Sequence, residues 1–279
     1  MCNRIQITPK SRRSRPSAGR AAVAMLVLLG VLLAGGLPAG GVVPPEIDQG
    51  ALEEDDGTSD FGDPTNNGNL VSDCSQSQIQ EFFAAVREGG TVELTDCPRL
   101  VLTNAVAITT DVTLRGDEDG KTTITGNNLS RMFTVYPRGC LTLENLTLQG
   151  GLSRYGGAIY NMAGGRVVLN NCRIVGNQAV GRNGVNGRNG DNDPNYGKKG
   201  KSASSGQSGA GGGIYNFGNL EATDCQFTDN RAKGGHGGDG GNGGEGRYQG
   251  GNGGDGGDGA LAFGGAIYSE GRLWLTNCQ

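Results

Sequence analysis

The side chains able to do chemistry are few, and most of them recur at one spacing. Seven cysteines and a single histidine are the only thiol or imidazole ligands in the 279 residues. Three of the thiols, Cys172, Cys225 and Cys278, hold the same place in three repeated segments: GGAIYNMAGGRVVLNNCRIVGNQA from Gly156, GGIYNFGNLEATDCQFTDNRA from Gly212 and GGAIYSEGRLWLTNCQ from Gly264. None lies in a Cys-x-x-Cys pair of the kind that binds zinc. Their repeated position predicts instead that they stack inside the molecule as small apolar side chains. Directly before them stand Asn171, Asp224 and Asn277, with Asn145 at the equivalent place upstream. His236 sits in a glycine run, where an exposed side chain is expected. Asp111, Asp117, Glu118 and Asp119 gather near an early turn, but TLRGDEDGKTTI reads as a solvated strand–turn–strand. Arg115-Gly116-Asp117 spells a cell-attachment tripeptide, a match that three residues reach readily by chance. Asp239, Glu245, Asp255 and Asp258 offer the oxygen ligands that Ca²⁺ takes. Glycine follows each of those aspartates, however, where the nonapeptide calcium repeat has an apolar residue. Hydrolysis or elimination on a sugar needs paired carboxylates, or a metal with a positioned base. The acids on the repeats form no such column, so no catalytic, cofactor or metal residue is assigned.

The elements that must carry these residues follow from the alternation around them. Gly139, Gly165, Gly218 and Gly271 each begin one run. Leu141, Val167, Leu220 and Leu273 follow, then Leu143, Leu169, Ala222 and Leu275, two apart and so on one face of a strand. Thr142, Val168, Glu221 and Trp274 fall between them and are expected on the outer face. So are Arg166, Asn219, Arg272 and Cys140, the last without an assigned role. The Asn or Asp breaks the alternation, because an apolar residue follows it at once. It therefore reads as a turn residue in the left-handed region, with its amide free to bond in a stack. A unit of this kind cannot bury its apolar face alone and must stack on its neighbours. Short strands without intervening helices predict an all-β parallel β-helix, with coils of roughly 20 to 25 residues holding two or three strands each. DVTLRG, TTITGNN and RMFTVYP upstream read as irregular opening coils.

The short signatures point further. GGAI stands at Gly156–Ile159 and Gly264–Ile267, with a GGGI variant at Gly211–Ile214; F-x-x-N stands at Phe227–Asn230, with a variant at Ile174–Asn177. Over roughly residues 74 to 279 the chain resembles right-handed parallel β-helix surface proteins of the polymorphic outer membrane protein and adhesin type, which share the pectin-lyase-like fold. The resemblance implies an exported, non-catalytic cell-surface or secreted protein, adhesin-like or surface-structural, whose partner is a surface glycan or protein. β-Helices also include polysaccharide lyases and hydrolases, and fold does not fix function. A carbohydrate-active enzyme is therefore the alternative.

The termini agree with export. Residues 1–40 carry six basic residues in the first 20, then an uncharged apolar run from Ala21 to Leu37 ending among small residues. This reads as a signal peptide, with a membrane anchor as the competing reading. Cys2 follows no apolar run and is not a lipid-attachment site. Removing the basic segment takes the net charge from −4 to about −10, which argues against nucleic acid as a partner. Residues 41–73 carry acids and no base and read as a disordered linker. Within residues 74–97, Ser75 or Ser77 as N-cap, an apolar stripe at Ile79, Phe82, Phe83 and Val86, and a stop at Gly89 predict a helix covering the first coil. In an exported chain Cys74 and Cys97 read as a disulfide clamping that cap, against the alternative of two unpaired thiols. The β-helix then occupies residues 98–279. Its last repeat stops before an F-x-x-N element, so further sequence is expected, such as the β-barrel translocator of an autotransported relative. Membrane contact is expected only through the N-terminal segment or such a region.

Two glycine-rich insertions, 181–210 and 233–262, leave the same corner of adjacent coils with glycine at a period of three. That period suits polyproline II helices, which have three residues per turn; the alternative is a pair of flexible loops. The first insertion is net basic and the second net acidic, so the two are expected to associate.

Overall fold

The computed structural model describes residues 73–118 and 122–279. The expected signal segment or anchor, the acidic linker apart from Asp73, and Asp119 lie outside the described residues. What is described is a parallel β-helix. One coil runs Arg166–Asn170, Arg173–Val175, Gln178–Val180, Gly209–Ala210 and Ile214–Asn216, and the next begins at Asn219–Thr223, in register on the first of these strands. Five parallel sheets of six, five, five, three and two strands result. The six-stranded sheet runs Gly90–Glu93, Asp111–Arg115, Cys140–Glu144, Arg166–Asn170, Asn219–Thr223 and Arg272–Thr276.

Register follows the sequence repeats. Leu141 pairs with Val167, Val167 with Leu220 and Leu220 with Leu273; Leu143, Leu169, Ala222 and Leu275 form the parallel column two residues on. Leu141, Leu143, Val167, Leu169 and Leu220 are all fully buried, as are Leu148 and Ile174 on the neighbouring sheet. Each strand is too short to hold a core by itself. Burial of one methylene is worth about 0.8 kcal/mol, so the columns gain stability only by running through every coil.

Three expectations are modified. The opening segments are not irregular: Val112 and Leu114 pair in register with Leu141 and Leu143, and Ile124 pairs with Leu148. Coils carry up to five short strands rather than two or three, because the chain turns at both ends of each insertion as well as at the Asn corner. Thr142 and Val168, expected to face outward, are nonetheless buried; Arg166, on the same face as Val168, reaches across to both carboxylate oxygens of Glu221 at 3.0 Å.

The corners are set by backbone geometry. Asn145, Asn171, Asp224 and Asn277 all take positive φ, between 51° and 56°. This region is open to glycine, Asn and Asp and costs other residues more. The first glycine of each GGAI-type motif, at 156, 211 and 264, has φ of 57° to 65°. A Cβ there would fall within 2.1–2.3 Å of the carbonyl oxygen three residues on. The motif is thus a tight turn that aims the following isoleucine into the core.

The first coil is covered by the helix Gln76–Glu88. Ser75 is its N-cap in a reciprocal capping box with Gln78, and Gly89 closes it with an N–H bond to Ala85. Ile79, Phe82 and Ala85 point onto the coil beneath.

Both insertions are ordered, and each folds out and back. Their four extended legs, at about 181–192, 196–207, 234–245 and 249–260, are joined by backbone hydrogen bonds repeating every three residues. The amides of Gly184, Gly187 and Gly190 donate to the carbonyls of His236, Asp239 and Asn242 at 2.7–2.8 Å. The amides of Gly238, Gly241 and Gly244 donate to Ser204, Lys201 and Lys198. The expected association is therefore a bundle of three-fold extended helices, and hydrogen bonding at each turn offsets the entropy lost by glycine.

Candidate binding surface

The disulfide read from Cys74 and Cys97 is present, tying the residue before the helix N-cap to the start of the first coil, with the two Cα atoms 4.3 Å apart. Among the described cysteines, Cys172, Cys225 and Cys278 are free thiols. Cys172 and Cys225 are buried beside the leucine columns and Cys278 is partly buried. Outside them runs the Asn/Asp corner: Asn171 donates its amide to Asn145 Oδ1 at 2.9 Å, and Asn277 donates to Asp224 Oδ1.

Two further amide stacks lie inside the solenoid. Asn161 donates to Asn216 Oδ1 at 2.7 Å, and Asn216 donates to Ser269 Oγ at 2.8 Å. At another corner Asn177, the last residue of the Ile174–Asn177 motif, donates to Asn230 Oδ1 at 2.9 Å while its own Oδ1 accepts from the Gly151 amide at 2.8 Å. The signal for both was present as the recurrent N of IYN and of F-x-x-N. The stacks satisfy buried backbone groups at bends, where the sheet ladder is interrupted.

The remaining candidates are dispersed. Arg115 pairs with Glu93 at 3.0 Å and Glu144 at 2.6 Å. Those two carboxylates raise its pKa, that of Glu144 most, and they occupy the arginine of the attachment tripeptide. His236 is exposed on its leg. Asp255 and Asp258 are one helical turn apart, about 9 Å along a polyproline II axis. Asp239 and Glu245 are two turns apart, so carboxylates on one leg do not converge as Ca²⁺ ligands must. Among the described residues no group of three or more His, Cys, Asp or Glu side chains is placed to hold a metal ion.

Two surface features combine shape with chemistry. A cleft of about 310 Å³ at the Asn corner is lined by Glu118, Leu146, Asn171, Cys172, Arg173, Asp224 and Gln226. Its lining includes two carboxylates and a guanidinium. The other feature is the tip of the glycine bundle. The first hairpin turns at Asp193, whose carboxylate accepts the amides of Tyr196 (3.0 Å) and Asn195 (2.9 Å); these bonds hold its pKa below the ordinary carboxylate value. The second hairpin turns alongside, with Asp193 bridged to Gly246 and Tyr196 to Gln249. The turns bring Tyr196 and Tyr248 together, ring centroids 5.9 Å apart, and leave them 62% and 68% exposed. The Arg247 guanidinium lies 5.9 Å from the centre of the Tyr248 ring. Tyr196, Lys199, Gln249 and Asn252 line a shallow depression of about 250 Å³ beside the rings.

The tip was not legible beforehand: Asn195-Tyr196 and Tyr248-Gln249 look like interruptions of the glycine period, and only the pairing of the hairpins makes them neighbours. A second aromatic group, Tyr160, Tyr215 and Tyr268, follows from the IYN/IYS repeat. Tyr215 stacks on Tyr268 at 5.1 Å and lies 5.4 Å from Tyr160, with Tyr155, Phe217 and Phe263 packed around it. Tyr160 and Tyr215 are buried, and burial raises both phenols. Burial first, then a 2.7 Å bond to Glu270, pushes Tyr268 up to about 12. This group is a satellite core, not a binding face. No helix among the described residues is long and apolar enough to cross a membrane. Comparison with protein-family models, with curated proteins and with solved structures finds no match for the chain.

Proposed function

We propose that the chain is an exported, non-catalytic surface protein of the adhesin kind, and that the glycine bundle presents its ligand-binding tip. The observation that carries this reading is the pair of exposed tyrosines, side by side at the end of a hydrogen-bonded bundle whose other exposed apolar side chain, Val185, stands alone. Single exposed aromatics are ordinary, but two adjacent rings held open cost apolar hydration that a monomer has no structural reason to bear. Tyrosine faces stack on the apolar faces of sugar rings, and amides supply the hydroxyl partners. Asn195, Gln249 and Asn252 stand beside the rings, and Lys199 and Arg247 add positive charge, while Lys198 is paired with Asp191 at 3.4 Å. The ligand class that fits is a glycan bearing carboxylate or sulfate groups. The GGAI and F-x-x-N signatures and the basic, then apolar, N-terminal segment support export to a cell surface.

The test is a glycan array probed with the purified chain and with Tyr196→Ala/Tyr248→Ala. The expected outcome is binding to acidic glycans that falls at least tenfold in the double variant, whose circular dichroism stays unchanged. An array that is silent, or equally bright with both proteins, would sink the tip reading.

The second reading, a carbohydrate-active enzyme, draws on the cleft that combines Glu118, Asp224 and Arg173. Asp224 is engaged by Asn277 and held in the left-handed backbone region, which gives it a structural task. Incubation with pectins and other acidic glycans separates the two: chain cleavage that disappears in Glu118→Gln would establish the enzyme.

A further inference from the structure

The three free thiols occupy one column. The Gln226 amide donates to the Cys172 carbonyl at 2.9 Å, and the Gln279 amide donates to the Cys225 carbonyl at 3.0 Å. The cysteines are therefore in register on successive coils. Residues so placed on parallel strands lie about 4.8 Å apart, inside the span of about 4.4–6.8 Å that a disulfide bridges. Size alone does not call for cysteine here. Leu146 holds the preceding position of the column, where its carbonyl accepts the Arg173 amide at 2.9 Å, so the site accommodates a larger apolar side chain. The two inner thiols also interact. Contact with Cys172 first, and with Cys278 less, lowers the Cys225 thiol to about 7, while the contact with Cys225, together with burial, raises Cys172. Cys172 forms part of the wall of the 310 Å³ cleft, which gives a small reagent a way in.

We propose that Cys172 and Cys225 are a modification site: a disulfide rung joining two successive coils at the Asn corner. The oxidant is a small-molecule or protein disulfide. The reading of the chain as exported bears on the proposal only in supplying such a compartment. With glutathione disulfide entering through the cleft, Cys172 passes its proton to the Cys225 thiolate and attacks one sulfur, forming a mixed disulfide and releasing one glutathione thiolate, which takes the proton from Cys225. The Cys225 thiolate then attacks the Cys172 sulfur, breaking the mixed bond and releasing the second glutathione thiolate, which takes a proton from water. Two electrons pass from the cysteine pair to glutathione disulfide, which leaves as two thiols.

The experiment equilibrates the purified chain with glutathione disulfide in excess, quenches it in acid, alkylates it in denaturant and digests it without reductant. Mass spectrometry should find the Cys172 peptide joined to the Cys225 peptide, with both becoming alkylated only after reduction. Cys74–Cys97 serves as an internal control. Oxidation should raise the melting temperature by several degrees in the wild-type chain and not in Cys225→Ala. Alkylation of both cysteines without reductant, or a bond from Cys225 to Cys278 instead, would overturn the proposal. The mapping needs no variant to fold. It is also indifferent to glycan binding at Tyr196 and Tyr248, so the two readings fail independently.

Discussion

At Asn171 the backbone takes φ of 51°, a conformation that costs an L-residue with a Cβ roughly 1–2 kcal/mol. Asparagine tolerates it, because its short amide can bond locally, here to Asn145 on the coil below. Asp224 and Asn277 repeat the arrangement one and two coils later. Asn171→Ala removes both the tolerance and the amide bond. It should lower stability by about 1–2 kcal/mol in urea unfolding, whereas Asn171→Gly keeps the backbone freedom and should lose less. Equal losses in the two variants would show that the stacked amide, not the left-handed turn, is what the position requires.

The glycine legs obey the same economy at the level of elements. The third leg, 234–245, has neighbours on two sides and carries two glycines in each triplet. A Cβ on Gly241 would sit 2.0 Å from the Arg188 carbonyl oxygen, and one on Gly240 would sit 2.0 Å from that of Gly254. The fourth leg also reads Gly-Gly-X, but only one glycine of each pair is crowded. Gly254 would meet the Lys201 oxygen at 2.0 Å, while Gly253 has nothing nearer than 3.5 Å. Gly241→Ala should therefore lower the melting temperature by the equivalent of about 1–3 kcal/mol, as overpacking does. Gly253→Ala should be neutral or stabilise by up to about 1 kcal/mol, through its effect on the unfolded chain. If both variants behaved alike, the legs would not be packed as a bundle in solution. Side chains reinforce the layering: Asn183, Asn186, Asn189 and Asn192 each accept the backbone amide of the residue 53 positions later.

Over the whole molecule, stability is a sum of coil-to-coil interfaces, and the ends decide whether the stack stays soluble. The helix Gln76–Glu88 closes one end by setting Phe82, fully buried, onto the first coil, and the Cys74–Cys97 disulfide holds it there. Phe82→Ala should cost roughly 3–5 kcal/mol. Hydrogen exchange should then accelerate first in the strands Gly90–Glu93 and Asp111–Arg115 and last near Ile214–Asn216. Uniform acceleration along the solenoid would show that the coils unfold as one unit rather than by fraying from the cap. The projecting bundle leaves the wall where the two insertions leave adjacent coils, so the rigidity of the tip depends on the register of the β-helix that roots it.

By itself the sequence determined the coil and its lining. Alternation two residues apart can be satisfied only by a strand with one buried face, and Asn or Asp before an inward cysteine only by a bend. The helix cap was legible because capping acts over a few neighbouring residues, and its disulfide because the two cysteines flank that helix, 23 residues apart. Tertiary structure alone decided the rest. A glycine triplet is equally consistent with a free loop and with a packed three-fold helix, because glycine gains order only when another backbone lies within hydrogen-bonding distance. That backbone comes from 53 residues away. The same distance separates Asn195 from Tyr248, so the paired tyrosines at the tip, like the thiols facing each other across two coils, exist only once the solenoid has set its register.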